Sequence, residues 1–227
     1  MRQPLMLLAV SAALVLGGCS SLNPFVGTSK VKKAELQAFK PSSEVKVQWT
    51  QSVGKGGGES FVPVVRGKDV FAATADGTLL RLEDGKLKWR VQAGQSLSSG
   101  VGSDGKLVVV GTASGDILSF SAETGQPLWQ AKVSSEVLAP PVVGESMVVV
   151  RSGDNRVYGF DLNDGKRKWV YQRNTPALAL RNYASPVLAE RFAFVGFPGG
   201  KLVALSLISG APMWEGTVAL PKGATEL

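Results

Sequence analysis

Few residues in this chain could perform chemistry. The 227-residue sequence contains no histidine and a single cysteine, Cys19. The absence of histidine removes the commonest general base and the commonest metal ligand. If Cys19 is consumed by covalent modification, no thiol remains for a disulfide, a redox couple or a metal site. The residue types therefore argue against a catalytic centre and direct attention to modification and binding.

Cys19 stands at the end of an N-terminal targeting signal. Residues 1–18 combine a basic start at Arg2 with an apolar run from Leu5 to Leu16, which is short for a membrane span and typical of a signal peptide. The run ends in LGGC, which resembles a bacterial lipobox whose cysteine is acylated and becomes the N-terminus. We predict a lipoprotein signal peptide over residues 1–18 and lipidation of Cys19. The alternative is an ordinary signal peptide with a chance cysteine.

Residues 19–43 are predicted to form a lipidated, flexible tether, which includes the basic run KVKK from Lys30. Several acyl chains on one residue hold a protein at a bilayer far better than one chain does. Ser20 follows the cysteine, where an Asp signals inner-membrane retention in many Gram-negative lipoproteins. We therefore expect a lipid anchor in the outer membrane, with the protein facing the periplasm.

The sequence contains repeats of about forty residues, and these repeats must form the elements that position any binding residues. A tryptophan closes each copy, at spacings of 40, 40, 40 and 45: Trp49, Trp89, Trp129, Trp169 and Trp214. A glycine stands four residues before each of the last four tryptophans: Gly85, Gly125, Gly165 and Gly210. A turn that needs positive φ favours glycine at the same place every time. We expect the tryptophans to fill the interfaces between successive repeats.

Each repeat carries the signals of four short antiparallel strands, which is typical of one β-propeller blade. The first strand is marked by a proline or its equivalent, because proline lacks the N–H that a central strand needs: Pro63, Val101, Pro141 and Pro186. The predicted fold is therefore an all-β propeller of four-stranded blades over residues 44–227. We place the blades at about 50–89, 90–129, 130–169 and 170–214, with partial blades at both ends. The first partial blade is a strand that ends at Trp49.

One interval departs from the repeat. The last spacing between tryptophans is 45 rather than 40, and the extra residues fall in Tyr171–Tyr183. This insertion carries Leu178, Leu180 and Arg181 in a loop between blades, and loops on a rigid scaffold often carry function. Exposed leucine and arginine together suit a partner site, where a guanidinium pairs with carboxylates or carbonyls around an apolar contact. The alternative is that the leucines are buried between blades and the arginine is solvated.

The repeats resemble the quinoprotein-alcohol-dehydrogenase-like propeller family, whose pattern DGxLYALDxxTGxxxW is matched by GDILSFSAETGQPLW and NRVYGFDLNDGKRKW. With the lipobox, the tether and the segment PALALRNYASPV (Pro176–Val187), the resemblance narrows to the BamB family, the propeller lipoproteins of the β-barrel assembly machine. That family has eight blades, so about four blades plus partial ones lead us to expect a C-terminally truncated chain. The alternative is a four-bladed ring.

The resemblance implies a non-enzymatic scaffold with no cofactor and no metal. Family members bind the periplasmic domains of BamA within the Bam complex and assist assembly and insertion of β-barrel proteins into the outer membrane. Unfolded outer-membrane protein clients are a further expected partner class. The family's BamA-binding pattern, Leu-x-Leu-Arg, falls on Leu178, Leu180 and Arg181 of this sequence.

Two alternatives remain open at this stage. One is an envelope lipoprotein propeller that binds another partner or a polysaccharide, because a fold does not fix a function. The other is a quinone-dependent dehydrogenase, which needs a carboxylate base, a Ca²⁺ site and typically a cysteine pair. The candidate carboxylates Asp154, Asp161 and Asp164 lie at repeated turn positions. The net charge is +7, but one of these charges, Arg2, lies in the signal and a further three lie in the tether, so the blades are only mildly basic. This charge and the predicted compartment argue against nucleic-acid binding.

Overall fold

The computed structural model describes residues 42–54, 61–173 and 184–219. The chain divides into two compact units, residues 1–46 and 47–227. Every regular element in the described residues is a β-strand, and all of these strands lie in the second unit.

Sixteen strands in the described residues form four sheets, each with four antiparallel strands hydrogen-bonded in chain order. The first sheet contains β1 (Val64–Arg66), β2 (Asp69–Ala73), β3 (Thr78–Glu83) and β4 (Lys86–Gln92). The second contains β5 (Gly102–Ser103), β6 (Leu107–Gly111), β7 (Asp116–Ser121) and β8 (Pro127–Lys132). The third contains β9 (Val142–Val143), β10 (Met147–Arg151), β11 (Arg156–Asp161) and β12 (Arg167–Gln172). The fourth contains β13 (Val187–Ala189), β14 (Phe192–Phe197), β15 (Lys201–Ser206) and β16 (Pro212–Thr217).

These four sheets confirm the predicted all-β propeller of four-stranded blades. The first strand of every sheet begins one residue after its predicted marker, as β1 follows Pro63 and β9 follows Pro141. These first strands are two or three residues long, and those of the first three sheets approach one another in succession. Proline just before the strand leaves its backbone ladder intact.

The core lies between successive sheets. The strand β6 is buried along its whole length. Its Val108 and Val110 pack into a cluster shared with the first sheet, whereas Val109 packs into a cluster shared with the third sheet. A third cluster joins the third and fourth sheets and includes Val149 and Leu205. Because successive side chains point to opposite faces of a strand, consecutive valines are needed where both faces are covered. Full burial of each valine contributes roughly 1.5–3 kcal/mol.

The repeated tryptophans join successive sheets, as predicted. Three indole N–H groups donate to a backbone carbonyl in the turn that follows the third strand of the next sheet: Trp89 to Ala122 at 3.0 Å, Trp129 to Leu162 at 3.0 Å and Trp169 to Leu207 at 2.7 Å. The rings lie against the repeated turn glycines, so a methyl group at Gly165 would come within 2.5 Å of Trp129. The φ of Gly165 is +68°. Glycine is therefore required both by the turn and by the close approach of the ring.

Trp49 makes the same ring contact without belonging to a strand. A methyl group at Gly85 would come within 2.6 Å of the Trp49 ring. The sequence predicts a strand that ends at Trp49, but residues 42–54 contain none. No strand among the described residues pairs with this segment through backbone hydrogen bonds, and the Arg90 side chain of β4 only donates to the Ser52 carbonyl at 3.2 Å. An extended segment without a paired neighbour does not form a sheet.

Candidate functional site

The residues predicted to carry function lie outside the described part of the structure: Cys19, Leu178, Leu180 and Arg181. The structure does describe the residues on both sides of the 174–183 segment. Arg173 precedes this segment and Ala184 follows it. We name the contact between the third and fourth sheets the third junction. Its described residues are the ones that border the insertion in the chain. The corresponding contacts between earlier sheets are the first and second junctions.

The turn after the second strand follows one pattern in the first three sheets. A hydroxyl-bearing residue follows the strand and bonds a polar residue of the turn. Thr74 Oγ1 donates to the Asp76 carboxylate at 2.5 Å, and the Ser152 hydroxyl donates to the Asp154 carboxylate. Thr112 holds the same position in the second sheet, with its hydroxyl 3.2 Å from that of Ser114. The fourth sheet departs from the pattern, because its equivalent residue is an aromatic one, Phe197.

Arg151 occupies a position that holds a small residue in the other three sheets: Ala73, Gly111 and Gly196. Arg151 is only 2% exposed. Its guanidinium donates to the Gly196 carbonyl at 2.7 Å and to Asn155 Oδ1 at 2.6 Å, and its Cζ lies 5.1 Å from the centroid of the Phe197 ring. Burial lowers the pKa of Arg151 to about 10, so the group stays charged at neutral pH. It forms no ion pair with a described residue.

Asn155 also departs from the repeat. Its φ of +61° lies in the left-handed region, and glycines with positive φ hold this position in the other sheets: Gly77, Gly115 and Gly200. Asparagine is one of the few other residues that tolerate this conformation. The substitution supplies an amide oxygen to Arg151, which a glycine could not do.

A second arginine reaches the same aromatic ring. Arg173 forms a bidentate pair with Glu215 of β16, with N–O distances of 2.6 and 3.0 Å, and its Cζ lies 6.0 Å from the Phe197 centroid. The hydrogen bonds of this pair raise the pKa of Arg173 and lower the pKa of Glu215. Tyr171 meets the Phe197 ring edge-on at 5.8 Å. Ala93, Val133 and Val218 are the residues equivalent to Arg173, and they carry no charge.

We name five of these residues the Arg151 cluster: Arg151, Asn155, Arg173, Phe197 and Glu215. The cluster joins the third sheet to the fourth through side chains that the first and second junctions lack. Sequence reasoning missed it because that reasoning followed the residues that recur. The sequence signal that could have found the cluster is the set of repeat positions at which one copy has a different type of residue from the others.

A groove with both polar and apolar lining residues, among them Val133 and Val170, lies between the second and third sheets. Its cavity of about 510 Å³ is lined by Lys132, Ser134, Arg156, Tyr158, Arg167 and Gln172. Lys132 is paired with Asp116 at 2.9 Å and Arg156 with Asp154 at 2.9 Å. The hydrogen bond from Lys132 lowers the pKa of Asp116. Because two of the three cations are already paired, the groove offers hydrogen bonds and only a weak attraction for anions.

The described residues provide no preformed centre for a metal. No group of three or more histidine, cysteine, aspartate or glutamate side chains among them is arranged to hold an ion. Asp154, Asp161 and Asp164 each form an ion pair with a neighbouring cation, which gives these carboxylates a structural role. No helix in the described ranges is long and apolar enough to span a membrane.

The sequence matches one family along most of its length. The family model described as outer membrane protein assembly factor BamB matches residues 25–96 and 83–227. The outer membrane protein assembly factor BamB of Bordetella pertussis is 43% identical over 220 residues, which cover 96% of this chain and 56% of that relative. The Burkholderia pseudomallei protein of the same name is 40% identical over 220 residues, with the same two shares. The chain thus spans little more than half the length of these curated relatives.

Solved structures agree with this match. The crystal structure of BamB from Moraxella catarrhalis has a TM-score of 0.70 at 28% identity, covering 78% of this chain and 54% of the other. A europium-containing methanol dehydrogenase has a TM-score of 0.62 at 15% identity, covering 77% of this chain and 44% of that one. The second likeness shows the propeller fold alone. The family model covers nearly the whole sequence, and the chain therefore belongs to the family of the outer membrane protein assembly factor BamB.

Proposed function

We propose that the protein is a non-enzymatic scaffold of the β-barrel assembly machine, which binds the periplasmic domains of BamA and assists insertion of β-barrel proteins into the outer membrane. Family membership supports this proposal, because the curated relatives reported above are named as outer membrane protein assembly factors. A scaffold needs a rigid surface rather than a reaction centre. Sheets joined by buried clusters at each junction supply such a surface.

The protein is further proposed to be anchored in the outer membrane through lipidated Cys19, with residues 1–18 as the signal, 19–43 as the tether and 44–227 as the propeller. Replacing Cys19 with serine removes the acceptor for acylation. The variant should then lose metabolically incorporated palmitate and appear in the soluble periplasmic fraction. Retention of the label by the Cys19→Ser variant would overturn this part of the proposal.

The observation that carries the proposed partner site is the break in the repeat at the third junction. An insertion enters there, and the described residues beside it depart from the repeat as well. We place the contact with BamA on Leu178, Leu180 and Arg181, where an arginine can pair with carboxylates or carbonyls beside an apolar contact. Propellers bind through loops because the blades beneath hold those loops at fixed positions.

Affinity for purified BamA tests the proposal. The wild-type chain and the Arg181→Glu variant are titrated against detergent-solubilised BamA, and both are checked by circular dichroism. Charge reversal at an interface should weaken binding by more than tenfold, which corresponds to about 1.4 kcal/mol or more. Arg167→Glu is the matched control, because Arg167 is an exposed arginine at the opposite end of β12. Absence of binding by the wild type, or equal losses in both variants, would contradict the proposed site.

A further inference from the structure

We propose that the Arg151 cluster is a positioning device that fixes the stem of the insertion for partner binding, with Arg151 and Phe197 as its central positioning residues. The inference rests on the proposed function, because its effect is measured as affinity for BamA. None of the cluster residues needs to touch the partner.

Departures from the repeat at the third junction occur together and in mutual contact. A small residue becomes Arg151, a glycine becomes Asn155, a hydroxyl-bearing residue becomes Phe197 and an uncharged residue becomes Arg173. Arg151 contacts Asn155 and Phe197 directly, and Arg173 contacts Phe197. Four unrelated changes would be expected to scatter over the blades.

One departure lies at the first junction, where Arg81 replaces a small residue, pairs with Asp69 and donates to the carbonyls of Ala122 and Glu123. The third junction differs because its four changes contact one another and lie at the interval with the longest tryptophan spacing.

Stability alone gives no reason for a buried arginine here. The first and second junctions close with alanine or glycine at this position, and at the second junction Val137 packs over Gly111, so these junctions close without a long side chain there. Arg151 is buried without a carboxylate partner among the described residues, and burying a charge is costly unless it is paired and hydrogen-bonded. These contacts fix the orientation of the guanidinium, because it donates to a carbonyl and to an amide oxygen and also packs on an aromatic face. Buried polar groups of this kind can select one arrangement among several.

The cluster reaches the insertion through Arg173. Arg173 is the last described residue before the 174–183 segment, and its bidentate pair with Glu215 ties the end of β12 to the fourth sheet. Ala93 and Val133 are the equivalent residues at the first and second junctions, and their side chains cannot form such a pair. On the far side of the segment, the Ser185 hydroxyl donates to the Pro140 carbonyl at 2.9 Å. Side-chain contacts therefore hold the described residues on both sides of the 174–183 segment, which we call the stem of the insertion.

A double-mutant cycle separates positioning from general stability. Affinity for purified BamA is measured for the full chain with Arg151→Met, with Arg181→Ala and with both changes. Methionine keeps the length of the side chain and removes the charge and its directed hydrogen bonds. We expect Arg151→Met to weaken binding about tenfold in the wild-type background and less than about threefold in the Arg181→Ala background, since the loop contact it positions is then absent. Tyr158→Leu is the matched control. Tyr158 is buried at the second junction, and leucine is the residue at the equivalent position 118 of the second sheet.

A second variant keeps the test decisive if Arg151→Met folds poorly. Glu215→Gln changes an exposed side chain and removes only the charge that holds Arg173, so it should fold and weaken binding about threefold. Wild-type affinity for both cluster variants, or equal losses in both cycle backgrounds, would overturn the positioning role while leaving the proposed function intact. Failure of the wild type itself to bind BamA would instead remove the proposed function.

Discussion

The second and third junctions share one contact and differ in another. At both, a tryptophan indole donates to a carbonyl in the turn after the third strand of the following sheet, Trp129 at 3.0 Å and Trp169 at 2.7 Å. Away from this contact, the second junction has Val137 packed over Gly111, and the third has Arg151 bound to the Gly196 carbonyl and packed on Phe197. The tryptophan contact is the same at both junctions. The contact made at the position of Gly111 and Arg151, which we call the variable contact, differs between them. Function is expected where the variable contact departs from the repeat.

Breaking the shared tryptophan contact should have the largest effect. Trp169 is 7% exposed and Trp214 is 52% exposed, because no described sheet covers Trp214. Trp169→Ala should lower the free energy of unfolding by about 4 kcal/mol through lost burial, the cavity and the lost hydrogen bond. Trp214→Ala should cost about 1 kcal/mol, because much of its surface already contacts solvent. Urea denaturation followed by circular dichroism measures both, and equal losses would contradict the role given to the indole contact.

A smaller loss is expected when the glycine beneath a tryptophan gains a side chain. In Gly165→Ala the new methyl group meets the Trp129 ring, and the residue must also keep a φ of +68°. Together these effects should cost about 3 kcal/mol.

Gly67→Ala is the matched control for that change. Gly67 has a φ of +61°, but a methyl group there would meet nothing within 4 Å. It should cost only the backbone strain, about 1 kcal/mol. If the two variants unfold at the same urea concentration, the close packing of tryptophan on glycine contributes little.

The smallest effect concerns the ion pair of the third junction and depends on pH. The hydrogen bond from Arg173 lowers the pKa of Glu215 below its ordinary value of 4.5. A carboxylate whose folded-state pKa is depressed contributes stability that is complete above the unfolded value and is lost as pH falls through the folded value. Wild type should therefore be more stable than Glu215→Gln near neutral pH, and the difference should shrink below pH 4.5. Thermal midpoints across this range measure the difference, and one that grows on acidification would contradict the assigned pairing.

The sequence was sufficient to predict the features that recur. A tryptophan every forty residues and a glycine four residues before it predict blades joined by an indole on a turn, because every junction has the same steric need. The markers Pro63, Pro141 and Pro186 predict where the short first strands begin, since each strand starts at the next residue. Local patterns of this kind fix register and turn type without knowledge of the rest of the fold.

Features formed once were harder to predict. A strand at Trp49 followed from alternation alone, but a strand needs a hydrogen-bonded neighbour, which the described residues do not provide. The contacts of Arg151 with Gly196 and Phe197 join residues 45 or more positions apart. The repeat pattern of the sequence does not predict contacts that only one junction makes. Arg181 and its neighbouring leucines were identified from an insertion and a family resemblance, and their placement at a partner site stays a prediction.

Site-specific photocrosslinking in cells tests most directly the claim that function lies where the repeat is broken. A photoreactive amino acid replaces Leu178 of the insertion in one strain and Leu128 of β8 in another, and products are identified by mass spectrometry. Leu128 is the matched control because it is an exposed leucine, at 54% exposure, on the last strand of a regular blade. We predict an adduct with BamA from position 178 and none from position 128. Adducts from position 128 alone, or from neither position in a chain shown to be folded and in the envelope, would contradict the account.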